Sequence, residues 1–277
     1  MKESREVGVL RLIGYYILSI IIASITVRVL ESVLDCNLES RIIVITIQLL
    51  TITFILCYER VSKEKFKSNI KEIKEKNTIK EIAILLIFLY IFSLASIYIL
   101  VAIFYKISPQ QVTNLINKQN FKIDTTTQLF IVSIYTVIIG PIFEELVFRK
   151  IIFRRFSKNI GILLAATISS IIFGMLHGNL SVIHATIFGF IICILYEKYN
   201  NILVPILLHS LNNLVPACMR TLGFYKGTLC MPVNVDLKND LVLSVIAFII
   251  SSIFLGMYVY KNKEYLKDKS IVVEKVA

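Results

Sequence analysis

Glu144, Glu145 and Arg149 lie in Gly140-Pro141-Ile142-Phe143-Glu144-Glu145-Leu146-Val147-Phe148-Arg149, a stretch embedded in a long apolar run. His177 ends a second such stretch, Phe173-Gly174-Met175-Leu176-His177, and His209, Asn212 and Asn213 interrupt a third. With His184 these account for all 3 histidines of the chain. An ionisable side chain at membrane depth costs about 2.5–3.5 kcal/mol on insertion scales, so each needs a reason to be there. Helical spacing assigns faces, because residues four apart stack while adjacent ones diverge by about 100°. Glu145 and Arg149 can therefore pair, which leaves Glu144 aimed elsewhere and in need of a partner from another helix. His209 and Asn213 share a face, as do Phe173 and His177. A carboxylate, two imidazoles and a carboxamide converging in a cavity could activate water as a general base and stabilise an oxyanion, which points to hydrolysis. The sequence offers no GxSxG, no HExxH and no GxGD-like aspartate, which argues against serine, zincin and aspartyl versions of that chemistry.

Each feature also has a plain structural reading. The two glutamates could form an ion cluster at a membrane surface with Arg149 and Lys150, and His177 could cap a helix beside Gly178. His209 and Asn213 could serve as hydrogen-bond glue between helices, as polar residues in membrane bundles often do. His184 has no motif around it and reads as a packing or cavity residue. Phe173 reads as a residue that shapes the site. Pro141, preceded by Gly140, predicts a kink that frees backbone groups for a polar cavity to satisfy.

The elements that must position these residues are membrane spans. The chain of 277 residues is 56% hydrophobic and only 18% charged, with a mean hydropathy of +0.76, against about 25% charge in soluble domains. Apolar runs cover about residues 7–30, 42–58, 82–105, 129–153, 160–176, 182–196, 202–218 and 241–260. They predict an all-α polytopic bundle of about eight transmembrane helices in a single membrane domain, since a span needs about 20 apolar residues. The first run lacks a small-residue cleavage site, which favours an uncleaved helix over a removable signal peptide.

The net charge of +11 sits in lysine blocks beside these runs rather than among exposed aromatics, so a nucleic-acid partner is not expected. Residues 60–80 read as a basic surface helix, and the positive-inside rule then puts both termini in the cytoplasm. The 5 cysteines are scattered without a CxxC pair, so neither a disulfide framework nor a thiolate metal site is indicated. Taken as straight spans, the fourth and fifth runs put His177 near an outer end and Glu144 well inside.

The order Glu144-Glu145-x-x-x-Arg149, Phe173-x-x-x-His177, His209-x-x-x-Asn213 resembles the three signature motifs of the CAAX prenyl protease and bacteriocin-processing (CPBP, abortive-infection) family of intramembrane endopeptidases. The resemblance covers about residues 129–220; the first 120 residues share only hydrophobic spans with the family. It implies a bundle around a water-filled cavity, with Glu144 as the base that activates water and His177 assisting it. It further implies that His209 and Asn213 stabilise the oxyanion, while Glu145 and Arg149 form a supporting ion pair and Phe173 supports the site. The implied substrate is a membrane-associated or hydrophobic peptide, lipidated in some relatives, and bacterial members resemble bacteriocin self-immunity and peptide-maturation proteins. Family members have been treated both as metalloproteases and as metal-free glutamate enzymes. The metal-free reading is favoured here, with zinc as the alternative. Outside catalysis, the same cavity could make the protein a membrane scaffold or immunity partner that binds a peptide or signalling protein.

Overall fold

The computed structural model describes residues 7–34, 40–59, 62–74, 76–110, 123–178, 180–227 and 239–267. Among them there is no strand; the described chain is helical throughout, as an apolar chain must be where no water is present to satisfy its backbone. The helices are α1 (Val9–Leu34), α2 (Ser40–Glu59), α3 (Lys63–Ile73), α4 (Lys76–Ile107), α5 (Thr126–Ile160), α6 (Ile162–Met175), α7 (Val182–Tyr199), α8 (Leu203–Lys226) and α9 (Asn239–Lys261). A short 3-10 turn, Lys263–Leu266, follows.

Six of these helices among the described residues, α1, α2, α4, α5, α7 and α9, are long and apolar enough to cross a bilayer. The chain is thus a multi-pass membrane protein. The two further runs of the sequence behave differently. The fifth is α6, only 14 residues long, and the seventh is α8, whose 24 residues include His209, Asn212, Asn213 and Arg220 and so fall short in hydropathy. Both bear site residues on their inner faces, and both also expose apolar side chains, Leu163, Leu164 and Ile171 on α6 and Leu214, Met219 and Leu222 on α8. The basic surface helix expected within residues 60–80 is α3, which buries no residue and is capped by Ser62 accepting from the Lys65 N–H at 3.1 Å. Cys57, Cys193 and Cys218 are free thiols, while Cys36 and Cys230 lie outside the described residues.

Neighbouring helices pair as α1 with α2, α4 with α9 and α6 with α7. Aromatic rings lock the α4–α9 seam, where Phe88 stacks on Phe254 at 3.7 Å and Phe92 on Phe248 at 5.0 Å. The α6–α7 seam relies on small residues: a Cβ on Gly174 would stand 2.0 Å from Thr186 Oγ1 and 2.8 Å from the Val182 carbonyl oxygen. Close backbone approach through small residues is how helices associate where lipid removes any hydrophobic drive. The largest buried cluster, including Phe92, Phe148, Phe173, Phe188, Leu195 and Leu208, joins α4, α5, α6, α7 and α8.

One end of the bundle is closed by ion pairs. Glu81 of α4 accepts from Lys198 Nζ at 2.7 Å, Tyr199 OH at 2.6 Å and Tyr258 OH at 2.7 Å, which ties α4, α7 and α9 together. Lys150 pairs with Glu59, and Arg154 with Glu197. Asn201 holds α3 through the Asn69 carbonyl and Glu72 Oε2.

α5 is continuous but irregular. Two stretches of π-helix, Tyr135–Ile139 and Leu146–Phe153, flank the six α-helical residues Gly140–Glu145. π-turns within α-helices are frequent at functional sites. The cause of the first can be read residue by residue. The Gly140 N–H donates to the Tyr135 carbonyl, five residues back, and the next residue is Pro141, which has no N–H to give. The Thr136 carbonyl therefore loses both amides that could reach it along the helix. It accepts instead from Asn213 Nδ2 of α8 at 2.9 Å. The proline expectation of freed backbone groups met by polar side chains is realised at this atom. At the second π-turn Ser169 Oγ of α6 donates to the Phe148 carbonyl at 3.3 Å.

Candidate active site

α5 and α6 fold back on each other around Gly161, whose φ of 84° and ψ of 158° are open to glycine almost alone. Counted from this turn, Glu144 lies 161 − 144 = 17 residues back and His177 lies 177 − 161 = 16 residues on. Similar counts along antiparallel rods bring the two side chains to one depth. The mismatch expected from straight spans is not found: α6 ends at Met175 and His177 lies just past that end.

Glu144 Oε2 stands 3.6 Å from His177 Nε2 and 3.8 Å from His209 Nε2. The same oxygen is buried and has no hydrogen-bond partner among the described residues. Each imidazole is fixed from behind. His177 Nδ1 donates to the Phe173 carbonyl at 2.7 Å, the spacing of one helical turn, and His209 Nδ1 donates to Glu145 Oε1 at 2.7 Å. An Nδ1–H directed at an acceptor sets the tautomer and aims Nε2 forward. Both Nε2 atoms thus face one carboxylate oxygen.

Glu145 and Arg149 form the pair that their spacing implies, Oε2 to Nε at 3.0 Å, with both side chains fully buried. The guanidinium lies 4.6 Å from the Phe173 ring centre, so Phe173 supplies a π face to the buried cation. Phe173 also touches both histidines, at 4.2 Å and 5.9 Å between ring centres. Glu145 does more than pair with Arg149: it bridges Arg149 to His209 and so connects the ion pair to the site.

Asn213 lies one turn beyond His209, but its amide nitrogen is engaged at the Thr136 carbonyl. His184, half-buried in the first turn of α7, has an Nδ1 that is buried without a partner among the described residues. Three residues escaped a reading confined to charged, histidine and asparagine side chains. Tyr135 OH accepts from Gln48 Nε2 at 3.3 Å, and Tyr16 packs near Phe143 at 6.2 Å. Gln48 is a buried carboxamide in an apolar run, so extending the search to every hydrogen-bonding side chain would have found it. These contacts bring the α1–α2 hairpin to the wall beside Glu144.

A polytopic helical membrane protein with a glutamate facing two back-anchored histidines in its interior is the class that fold and site define. Residues 126–215 match the family described as type II CAAX prenyl endopeptidase Rce1-like. The chain is 41% identical over 81 residues to "Putative membrane peptidase YdiL" of Bacillus subtilis (strain 168), covering 29% of this chain and 33% of that protein. It is 34% identical over 86 residues to "Membrane-embedded CAAX protease MroQ" of Staphylococcus aureus (strain USA300), covering 28% of this chain and 35% of that one. The chain thus matches about a third of the length of these curated relatives, and no solved structure is significantly similar. The segment that carries all three motifs is thus similar to this family of CAAX proteases and membrane peptidases.

Proposed function

We propose that the protein is an intramembrane endopeptidase that hydrolyses a peptide bond of a membrane-associated or hydrophobic peptide, lipidated peptides included, using water activated by Glu144. The observation that carries this reading is the unpartnered Glu144 Oε2 facing two Nε2 atoms at 3.6 and 3.8 Å, a gap that a water could bridge. Glu144 takes a proton from that water while its oxygen attacks the peptide carbonyl. His177, held by the Phe173 carbonyl, shares the proton. The charge of the tetrahedral intermediate then meets His209, whose ring is fixed by its Nδ1 contact with Glu145 so that its Nε2 edge faces the oxyanion. Collapse breaks the C–N bond and returns the proton to the leaving amine. Asn213, the other oxyanion donor implied by the resemblance, has one amide N–H on the Thr136 carbonyl and a second available to the oxyanion.

Two imidazoles and a carboxylate are donor types that zinc accepts. Among the described residues, however, no three His, Cys, Asp or Glu side chains are grouped so as to hold a metal ion, and no step is assigned to one. The names of the two relatives, a membrane peptidase and a CAAX protease, support the reaction class. Lysines and arginines at the ion-paired end support a cytoplasmic position for that end and for both termini in a bacterial cell membrane. A part in bacteriocin immunity or peptide maturation fits a bacterial enzyme of this class.

The test is cleavage of a library of hydrophobic and lipidated peptides by the purified, detergent-solubilised protein, alone, as Glu144→Gln, and after chelation. Loss of a general base is worth about 10²- to 10⁴-fold, so cleavage should fall by that much in the variant and survive the chelator. Loss on chelation would assign the water to zinc. A folded wild-type protein that cleaves nothing in the library, with Glu144→Gln keeping full biological activity, would replace the enzyme with a peptide-binding scaffold.

A further inference from the structure

One hydrogen bond of this bundle joins two of the three motif-bearing helices, α5 and α8, without touching the reacting groups. Asn213 Nδ2 donates to the Thr136 carbonyl at 2.9 Å, and an oxygen acceptor requires the amide nitrogen to be there, so the orientation of the carboxamide is not in question. The acceptor exists because of two neighbouring residues. Gly140 sends its N–H to Tyr135, and Pro141 has none. The bond is partly buried, and a backbone carbonyl left without a donor at membrane depth is costly. Four residues beyond Gly140 lies Glu144, and a Cβ built on Gly140 would stand 3.1 Å from the Tyr135 carbonyl oxygen and 3.8 Å from Glu144 Oε1. The glutamate side chain therefore lies beside the π-turn. Any relaxation that closes the turn to α-helical register rotates everything after it, Glu144 and Glu145 included, relative to His177 and His209.

We infer that Asn213 is a positioning residue: by supplying the donor that Pro141 cannot, it holds the Tyr135–Ile139 π-turn and so sets the direction in which Glu144 and Glu145 point. This inference rests on the proposed peptidase function only for its catalytic readout. His209 then faces the reacting groups, while one N–H of Asn213 serves the backbone that carries them and the other stays available to the substrate. Pro141 and Asn213 form a coupled pair, one creating the vacancy and the other filling it, although they lie 213 − 141 = 72 residues apart.

The test is a double-mutant cycle on the full-length protein in detergent, using Asn213→Leu, Pro141→Ala and both together, read by thermal denaturation and by peptide cleavage. Asn213→Leu, a replacement of similar shape without a donor, is expected to lower Tm by several degrees and kcat by at least tenfold, with KM changed less than twofold. In the double variant the residue at position 141 has an N–H that reaches the Thr136 carbonyl, and at least half of the lost Tm and a measurable part of kcat should return. Asn213→Ala gives the same cycle should the leucine variant not fold. Additive Tm losses, or a double variant as inactive as Asn213→Leu alone with Tm untouched throughout, would overturn the inference and leave Asn213 as a donor to the substrate alone. A protein that cleaves nothing yet shows the Tm rescue would retain the positioning role and sink the peptidase reading instead.

Discussion

Glu144 and Glu145 are adjacent, alike in chemistry and opposite in duty. Glu145 is enclosed by Arg149 Nε at 3.0 Å and His209 Nδ1 at 2.7 Å, fully buried, whereas Glu144 keeps an oxygen free to face two imidazoles. Removing one partner of a buried ion pair strands the other, at about 3–5 kcal/mol. Glu145→Gln is accordingly expected to lower Tm sharply and to abolish cleavage. Glu144→Gln should stop cleavage with Tm within a few degrees of wild type. Thermal melts followed by helical circular dichroism check both, the 0 tryptophans of the chain leaving little use for fluorescence. Equal Tm losses in the two variants would mean that both carboxylates are structural. The Glu145–Arg149 pair was legible from four-residue spacing alone. The contact of Glu145 with His209 was not, since it depends on how α5 and α8 are set against each other.

Among the elements, the short α6 and its turn decide whether His177 reaches the site. Gly161 adopts φ 84°, ψ 158°, where a side chain costs about 1–3 kcal/mol. Gly174 has no room for a Cβ against the Val182 carbonyl and Thr186, and overpacking of this kind costs about 1–3 kcal/mol. Gly161→Ala and Gly174→Ala are both expected to destabilise by about those amounts. Gly174→Ala should in addition weaken cleavage more than its Tm loss explains, because it displaces the helix end three residues before His177. A Gly174→Ala protein with wild-type kcat would show that α6 tolerates the shift. The π-turns of α5 illustrate the limit of pattern reading at this scale. Gly140-Pro141 announced a break, but the form of the break, a register change held by Asn213 and Ser169 from other helices, is set by which donors stand opposite.

For the molecule as a whole, the site lies between helices that are clamped at the ion-paired end. Glu81 receives three donors from α7 and α9, and leaving buried or half-buried donors unmatched costs about 1–3 kcal/mol each. Glu81→Ala is therefore expected to lower Tm while each folded molecule cleaves at the wild-type rate, since Glu81 touches none of the reacting groups. A comparison of Tm with the specific rate per folded protein checks this; a fall in the specific rate alone would couple the clamp to catalysis. Lipid-facing side chains such as Ile249, Ile250 and Ile253 of α9 are exposed in the bundle, as suits a surface whose solvent is hydrocarbon.

The class of the molecule and the identity of its chemical groups were determined by sequence alone. Hydropathy dictates a membrane bundle because the bilayer permits a polar backbone in little else than helices, and the energetic penalty on buried charge singles out Glu144, Glu145, Arg149, His177 and His209. Local spacing further determined the Glu145–Arg149 pair. Only the tertiary structure decided how long each helix is, with α6 ending after 14 residues just before His177. It also decided that His177 shares the depth of Glu144, that His209 bridges toward both glutamates, and that Asn213 serves the Thr136 carbonyl. The physical reason is the same for each. Spacing along one helix assigns a face, but the partner on that face is chosen by helix lengths, turn geometry and backbone register, which are settled only when the helices pack.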